Sequence, residues 1–144
     1  MMLYARMRCK SDSVAPMLAT CYPSRRLMKT VRLLSWNVNG IRAVEKKGFL
    51  QWLADASPDV LCLQETKAVP EQLGPALLNP PGYHVYWDYA ERKGYSGVSV
   101  FSREEPDEVV RGLGIDRFDL EGRVLCARYP SFVLFNVYFP NGKM

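Results

Sequence analysis

From Thr30 onward the apolar residues fall in short runs separated by turn formers, and the spacing within the runs changes along the chain. Val31 to Val38 is short and apolar-rich, and Asn39-Gly40 stops it, which predicts a strand. Lys46 to Ala56 puts Phe49, Leu50, Trp52 and Leu53 on one side of a helical repeat and predicts a helix. Ser57-Pro58-Asp59 ends it, because the residue before a proline is pushed out of the α region. Val60 to Gln64 is nearly continuous in apolar character, as strands buried on both faces are. Strand, helix and strand in that order predict parallel pairing through a crossover, and so an α/β layered domain. A weak helix over Pro70 to Leu78 follows, closed by Asn79-Pro80-Pro81-Gly82.

Beyond Gly82 the chain turns to strands in succession: Tyr83 to Tyr89, Gly97 to Ser102, Glu108 to Arg111, Arg123 to Tyr129 and Phe132 to Phe139. Short turns such as Arg92-Lys93-Gly94 and Tyr129-Pro130-Ser131 between them predict antiparallel meanders. The last strand runs out at Pro140-Asn141-Gly142. Residues 1–28 carry no hydrophobic period and mix Arg, Ser, Pro and Met with almost no acid. They read as an unstructured basic extension over residues 1–29, a start placed upstream of Met28 in preference to an Arg-rich transit peptide. No apolar core follows the basic residues there, which excludes a secretory signal.

Composition changes this picture in two places. The chain has a net charge of +4, but residues 1–29 hold six basic side chains and one acid, while the remaining 115 hold thirteen and fourteen. The body is close to neutral, so bulk charge makes no case for nucleic-acid binding and any such case must come from local residues. Cys9, Cys21, Cys62 and Cys126 show no CxxC and no ligand spacing with the lone histidine, His84. That excludes a zinc centre and a disulfide framework and fits a reducing compartment. No apolar run approaches the roughly 20 residues a spanning helix needs, so no membrane partner is expected.

Four polar clusters stand at strand ends: Trp36-Asn37-Val38-Asn39-Gly40, Gln64-Glu65-Thr66-Lys67, Arg92 to Gly97, and Tyr138-Phe139-Pro140-Asn141-Gly142. In α/β sheets, ligands bind outside the carboxyl ends of strands. Two parallel strands joined by a crossover bring Asn37 and Glu65 within reach of one small ion. A carboxylate and an amide oxygen are hard donors that suit Mg²⁺, which keeps several waters for the rest of its shell. Each cluster also has a plain reading: Asn39-Gly40 as a turn, Glu65 as a solvated strand end, Tyr138 as a strand aromatic with its hydroxyl at the rim.

Five blocks in order carry a family resemblance. Leu34 to Ala43 resembles the opening motif of the exonuclease III family of apurinic/apyrimidinic (AP) endonucleases, and Pro58 to Lys67 resembles its second motif. Lys93 to Val98, Glu121 to Val124 and Asn136 to Gly142 are similar to three further blocks. The resemblance implies a four-layer α/β sandwich of the deoxyribonuclease I-like type, with residues 30–144 as its amino-terminal half. It implies a Mg²⁺-dependent enzyme, with Mn²⁺ as a substitute, that hydrolyses double-stranded DNA 5′ to abasic sites and degrades it from 3′ to 5′.

By the same resemblance, Glu65 is the main metal ligand, Asn37 a metal or catalytic residue with Asn39 behind it, and Tyr138 the active-site tyrosine. Arg42, Lys47, Gly94, Tyr95, Arg123 and Asn141 are the DNA-holding residues. Family members carry a second half with an Asp-x-Asn motif, a further aspartate and a terminal Ser-Asp-His, none of which occurs here. The chain is therefore expected to lack the general base and the imidazole, and His84 to be structural. The complete enzyme is expected to be a cytoplasmic monomer, with organellar import through residues 1–27 as the other localisation. The alternatives are a non-catalytic remnant that binds DNA or a partner, and a phosphoesterase for another substrate.

Overall fold

The computed structural model describes residues 2–7 (backbone only), 30–140 and 142. Its strands are β1 Met2–Met7, β2 Val31–Asn37, β3 Val60–Gln64, β4 His84–Asp88, β5 Val98–Ser102, β6 Glu108–Arg111, β7 Val124–Tyr129 and β8 Phe132–Val137. The helices are α1 Ile41–Glu45, α2 Phe49–Ala56, α3 Pro75–Leu78 and α4 Asp116–Asp119, with a 3₁₀ turn at Pro70–Gln72. Five strands form one sheet in the order β1-β2-β3-β5-β4, and β6-β7-β8 form a second. β2 and β3 run parallel, as the crossover requires, and every other pairing is antiparallel.

The layers follow from which faces are apolar. β3 and β5 are buried along nearly their whole length because both of their faces are covered. On one side Leu61, Leu63 and Phe101 meet Ile41, Phe49, Leu53 and Leu77 from the helices. On the other, Cys62, Val98 and Val100 meet Leu125, Ala127, Tyr129 and Leu134 of the second sheet. Helices, sheet and sheet are three of the layers of the expected sandwich. The outer face of the second sheet carries Val110, Cys126, Val133 and Phe135, of which Phe135 is 61% exposed.

Two expectations need correction. The helix read as Lys46 to Ala56 begins only at Phe49, because Gly48 takes a left-handed φ of 90°, and a separate helix, α1, precedes it over Ile41–Glu45, where none was read. The later strands pair antiparallel in succession as expected, β4 with β5, β6 with β7 and β7 with β8, and the two meanders lie in different sheets, with β5 also pairing to β3. The basic extension is not wholly unstructured, since Met2–Met7 pairs residue by residue with β2 from Met2–Trp36 to Met7–Val31. A strand edge with free backbone donors and acceptors is a template for any extended segment, and β1 satisfies it. The rest of the extension lies outside the described residues.

Candidate active site

The register of β2 against β3 sets Asn37 beside Gln64, so both strands deliver their next residues to the same end of the sheet. Glu65, the first residue past β3, has a left-handed φ of 54°, and Asn39, Lys67 and Ser96 have 47°, 53° and 48°. Such a backbone costs a residue with a side chain roughly 1–2 kcal/mol and persists where its neighbours over-determine it. The N–H groups of Val38, Gly40 and Ile41 donate to the carbonyls of Gln64, Glu65 and Thr66 at 3.0, 2.7 and 2.9 Å. From the other side, Thr66 and Lys67 donate to the carbonyls of Gly97 and Ser96 at 3.1 and 2.9 Å. Gly97 permits this approach, since a Cβ there would stand 2.3 Å from Thr66 Oγ1. Two segments far apart in sequence, 38–41 and 96–97, thus clamp the backbone of the stretch around Glu65.

Five side chains meet at the clamp. Asn37 Nδ2 donates to Glu65 Oε1 at 2.7 Å, and Asn37 Oδ1 accepts the Asn39 N–H at 3.1 Å. Lys67 Nζ stands 2.9 Å from Glu65 Oε2 and also donates to Asn39 Oδ1. The Tyr138 hydroxyl stands beside the Glu65 carboxylate and interacts with it. The Asn37 hydrogen bond, with those of Lys67 and Tyr138, outweighs burial and holds the Glu65 carboxyl below the usual carboxylate range. Burial and the bond to Glu65 push the Tyr138 phenol up, so at neutral pH it is a proton donor and not a phenolate.

A second group of side chains leans on Tyr138. The Arg123 carbonyl accepts the Tyr138 N–H at 2.9 Å, and the Arg123 guanidinium lies over the Tyr138 ring at 5.2 Å and the Tyr95 ring at 5.6 Å. The same guanidinium donates to Tyr95 Oη at 2.7 Å and pairs with Glu121. Arg42, Lys46, Lys67, Gly40 and Gly94 line a neighbouring cavity of about 600 Å³, a basic recess next to the carboxylate.

The donor set fits a small hard cation. Glu65 is ionised, and an ammonium already stands on one of its oxygens, so the carboxylate accepts positive charge in this geometry. Among the described residues no group of three or more His, Cys, Asp or Glu gathers, so an ion here would keep most of its ligands as water, as Mg²⁺ does. Asn37 presents its amide nitrogen to Glu65, which makes it the group that orients the carboxylate.

Most of the residues singled out in the sequence come together. Asn37, Asn39, Glu65 and Tyr138 form one hydrogen-bonded cluster; Tyr95 and Arg123 flank it, and Gly94 and Arg42 line the recess beside it. Lys47 is exposed in the turn between α1 and α2, and His84 is exposed on β4. Asn141 lies outside the described residues.

Two participants carried no role in the sequence reading. Lys67 had only its place in the motif as a signal. Asn136, 2% exposed, donates through Nδ2 to the carbonyls of Leu63 at 3.0 Å and Ser99 at 2.9 Å, and its Oδ1 accepts from Gln64 Nε2 at 2.7 Å. It ties β8, and with it Tyr138, to the strands that carry Glu65. Its signal was an amide at a strand position whose alternation with Leu134 places it inside.

Comparison with known proteins agrees with this arrangement. The model of the Endonuclease/Exonuclease/phosphatase family matches residues 34–142. The exodeoxyribonuclease of Bacillus subtilis is 47% identical over 114 residues, which cover 78% of this chain and 44% of that protein. The DNA repair nuclease APEX1 of Danio rerio is 44% identical over 115 residues, covering 78% of this chain and 37% of that one. The chain thus spans less than half the length of these relatives. Among solved structures, an AP endonuclease from Archaeoglobus fulgidus superposes with a TM-score of 0.63 at 34% identity, over 74% of this chain and 40% of that one. A 3′ phosphatase from Neisseria bound to a product DNA hairpin gives 0.63 and 34%, over 75% and 41%. With a family model matched over residues 34–142 and relatives of this identity, the chain belongs to the endonuclease/exonuclease/phosphatase family.

Proposed function

We propose that this chain provides one side of the active site of a DNA-repair phosphodiesterase, which hydrolyses double-stranded DNA 5′ to abasic sites and trims it from 3′ to 5′. The observation that carries the reading is the cluster of Asn37, Glu65, Lys67 and Tyr138 at the carboxyl ends of β2, β3 and β8, in a chain of this family. A bound Mg²⁺, or Mn²⁺ in its place, would supply positive charge at the scissile phosphate and a more acidic water. Glu65 would hold it, oriented by Asn37 through the 2.7 Å bond. Tyr138, protonated at neutral pH, would donate a hydrogen bond to a phosphate oxygen as charge builds on it. Arg42 in the recess, Lys47 on the turn after α1, and Tyr95 and Arg123 beside Tyr138 would hold backbone phosphates without reading bases, which suits recognition of a lesion.

Among the described residues the groups held against Glu65 are the Asn37 amide, the Lys67 ammonium and the Tyr138 phenol, none of which is a base at neutral pH. The chain by itself is therefore expected to cut on the order of 10²–10⁴-fold more slowly than an enzyme with a positioned base. The test is the purified chain with a duplex carrying one abasic site, in Mg²⁺, beside the Bacillus exodeoxyribonuclease. We expect Mg²⁺-dependent binding that favours the abasic duplex over the intact one and is lost in Glu65→Ala. Equal affinity for both duplexes, unchanged by Mg²⁺ and by Glu65→Ala, would refute the reading. Cleavage within a few tenfold of the Bacillus enzyme would refute the argument from the missing base.

A further inference from the structure

We propose that Lys67 is a built-in counter-ion of Glu65 that a divalent cation must displace, an inference that rests on Glu65 being the metal ligand. Each Glu65 oxygen faces a protein donor: Oε1 takes Asn37 Nδ2 at 2.7 Å and Oε2 takes Lys67 Nζ at 2.9 Å. An ion binding the carboxylate at the roughly 2.0–2.1 Å that Mg²⁺ demands would sit against that ammonium, and two positive centres so close repel strongly. One of them must leave.

Of the three donors on the carboxylate, Lys67 is built to move. Asn37 closes β2, with its Oδ1 held by the Asn39 N–H. Tyr138 is a rigid ring held from behind by Arg123. Lys67 is fixed at its backbone, where its N–H donates to Ser96, while its ammonium is held, besides Glu65, by Asn39 Oδ1 alone. Its ammonium ends a four-carbon stem, its side chain is 33% exposed, and it borders the recess of about 600 Å³ that Arg42 and Lys46 also line. The ammonium has room to turn away from Glu65 without any backbone change. Before the ion arrives, it neutralises the carboxylate; afterwards it adds positive charge to the recess.

The test is calorimetric titration of the full chain with Mn²⁺ alone, for the parent, Lys67→Gln, Lys67→Met, Lys67→Arg and Glu65→Gln. Removing the competing charge should tighten Mn²⁺ binding about fivefold in both neutral variants, the upper range for a partly exposed ion pair. Lys67→Arg, which keeps the charge, should bind no tighter than the parent. Glu65-dependent binding that is unchanged or weaker in both neutral variants would overturn the proposal and leave the metal ligand standing. Binding that survives Glu65→Gln would remove the metal ligand itself and the proposal with it. Either neutral variant decides the matter if the other fails to fold.

Discussion

Replacing Asn136 by leucine keeps most of the side-chain volume and removes every hydrogen bond the amide makes between the sheets. Three bonds are lost, at 2.7, 3.0 and 2.9 Å, all from a side chain that is 2% exposed. At roughly 1 kcal/mol net for each bond, the loss is about 3 kcal/mol. Gln64 Nε2 keeps Ser35 Oγ at 3.0 Å, so it is not orphaned and adds no further penalty. Equilibrium urea unfolding followed by tryptophan fluorescence measures the change. With a slope of about 2 kcal/mol per molar urea, the midpoint should fall by roughly 1.5 M. Two protein concentrations should be compared, because the exposed Val133 and Phe135 invite self-association. In a cycle with Gln64→Met, the two changes should couple by about 1 kcal/mol, since both act on one bond. A loss below about 1 kcal/mol in Asn136→Leu, with no coupling to Gln64, would refute the idea that this amide ties the sheets together.

Two further outcomes follow from the fold. Burial pushes the Cys62 thiol up to about 12, so almost none of it is thiolate at pH 8. With Cys9 and Cys21 replaced by serine, a thiol reagent should modify Cys126 in the native chain and Cys62 only on unfolding; rapid reaction of both would show that the sheets separate readily. A chain that starts at Met28 loses β1 and opens the edge of β2, so it should melt at a lower temperature and associate more readily than the full chain. An unchanged melting curve would mean that the pairing contributes nothing.

What could be read from the sequence depended on how local the cause was. β3 and β6 have the limits read from the sequence, because a continuous apolar run or a run between turn formers needs no distant information. α1, by contrast, is too short at Ile41–Glu45 to show a helical period, and the later start of α2 is a backbone event at Gly48. The meander reading gave β5 its partner β4 but not its second one. That partner, β3, lies some 38 residues away in the register of Cys62 against Val100, and nothing in either segment names the other.

The site divides in the same way. Asn37 and Glu65 were legible together because a parallel crossover places them at one end of adjacent strands. Asn136 was not, because alternation shows that a residue points inward without showing which carbonyls it will find there. Lys67 depends on a left-handed turn at Glu65 and again at Lys67 itself, and neither glutamate nor lysine advertises that conformation.

The cross-sheet tie has a consequence in time. Gln64 and Asn136 are 72 residues apart, and Asn37 and Glu65 only 28. At a synthesis rate of about 5–20 residues per second, the ribosome needs roughly 4–14 s to pass from one end of the longer tie to the other. During that interval the nascent chain can already hold the carboxylate, its amide and its ammonium at the end of β2 and β3. The inner face of β3 and β5 waits uncovered until β7 and β8 emerge, and the tyrosine comes last of all. The order of emergence leaves the acidic half of the site made and neutralised well before the half that would put it to use.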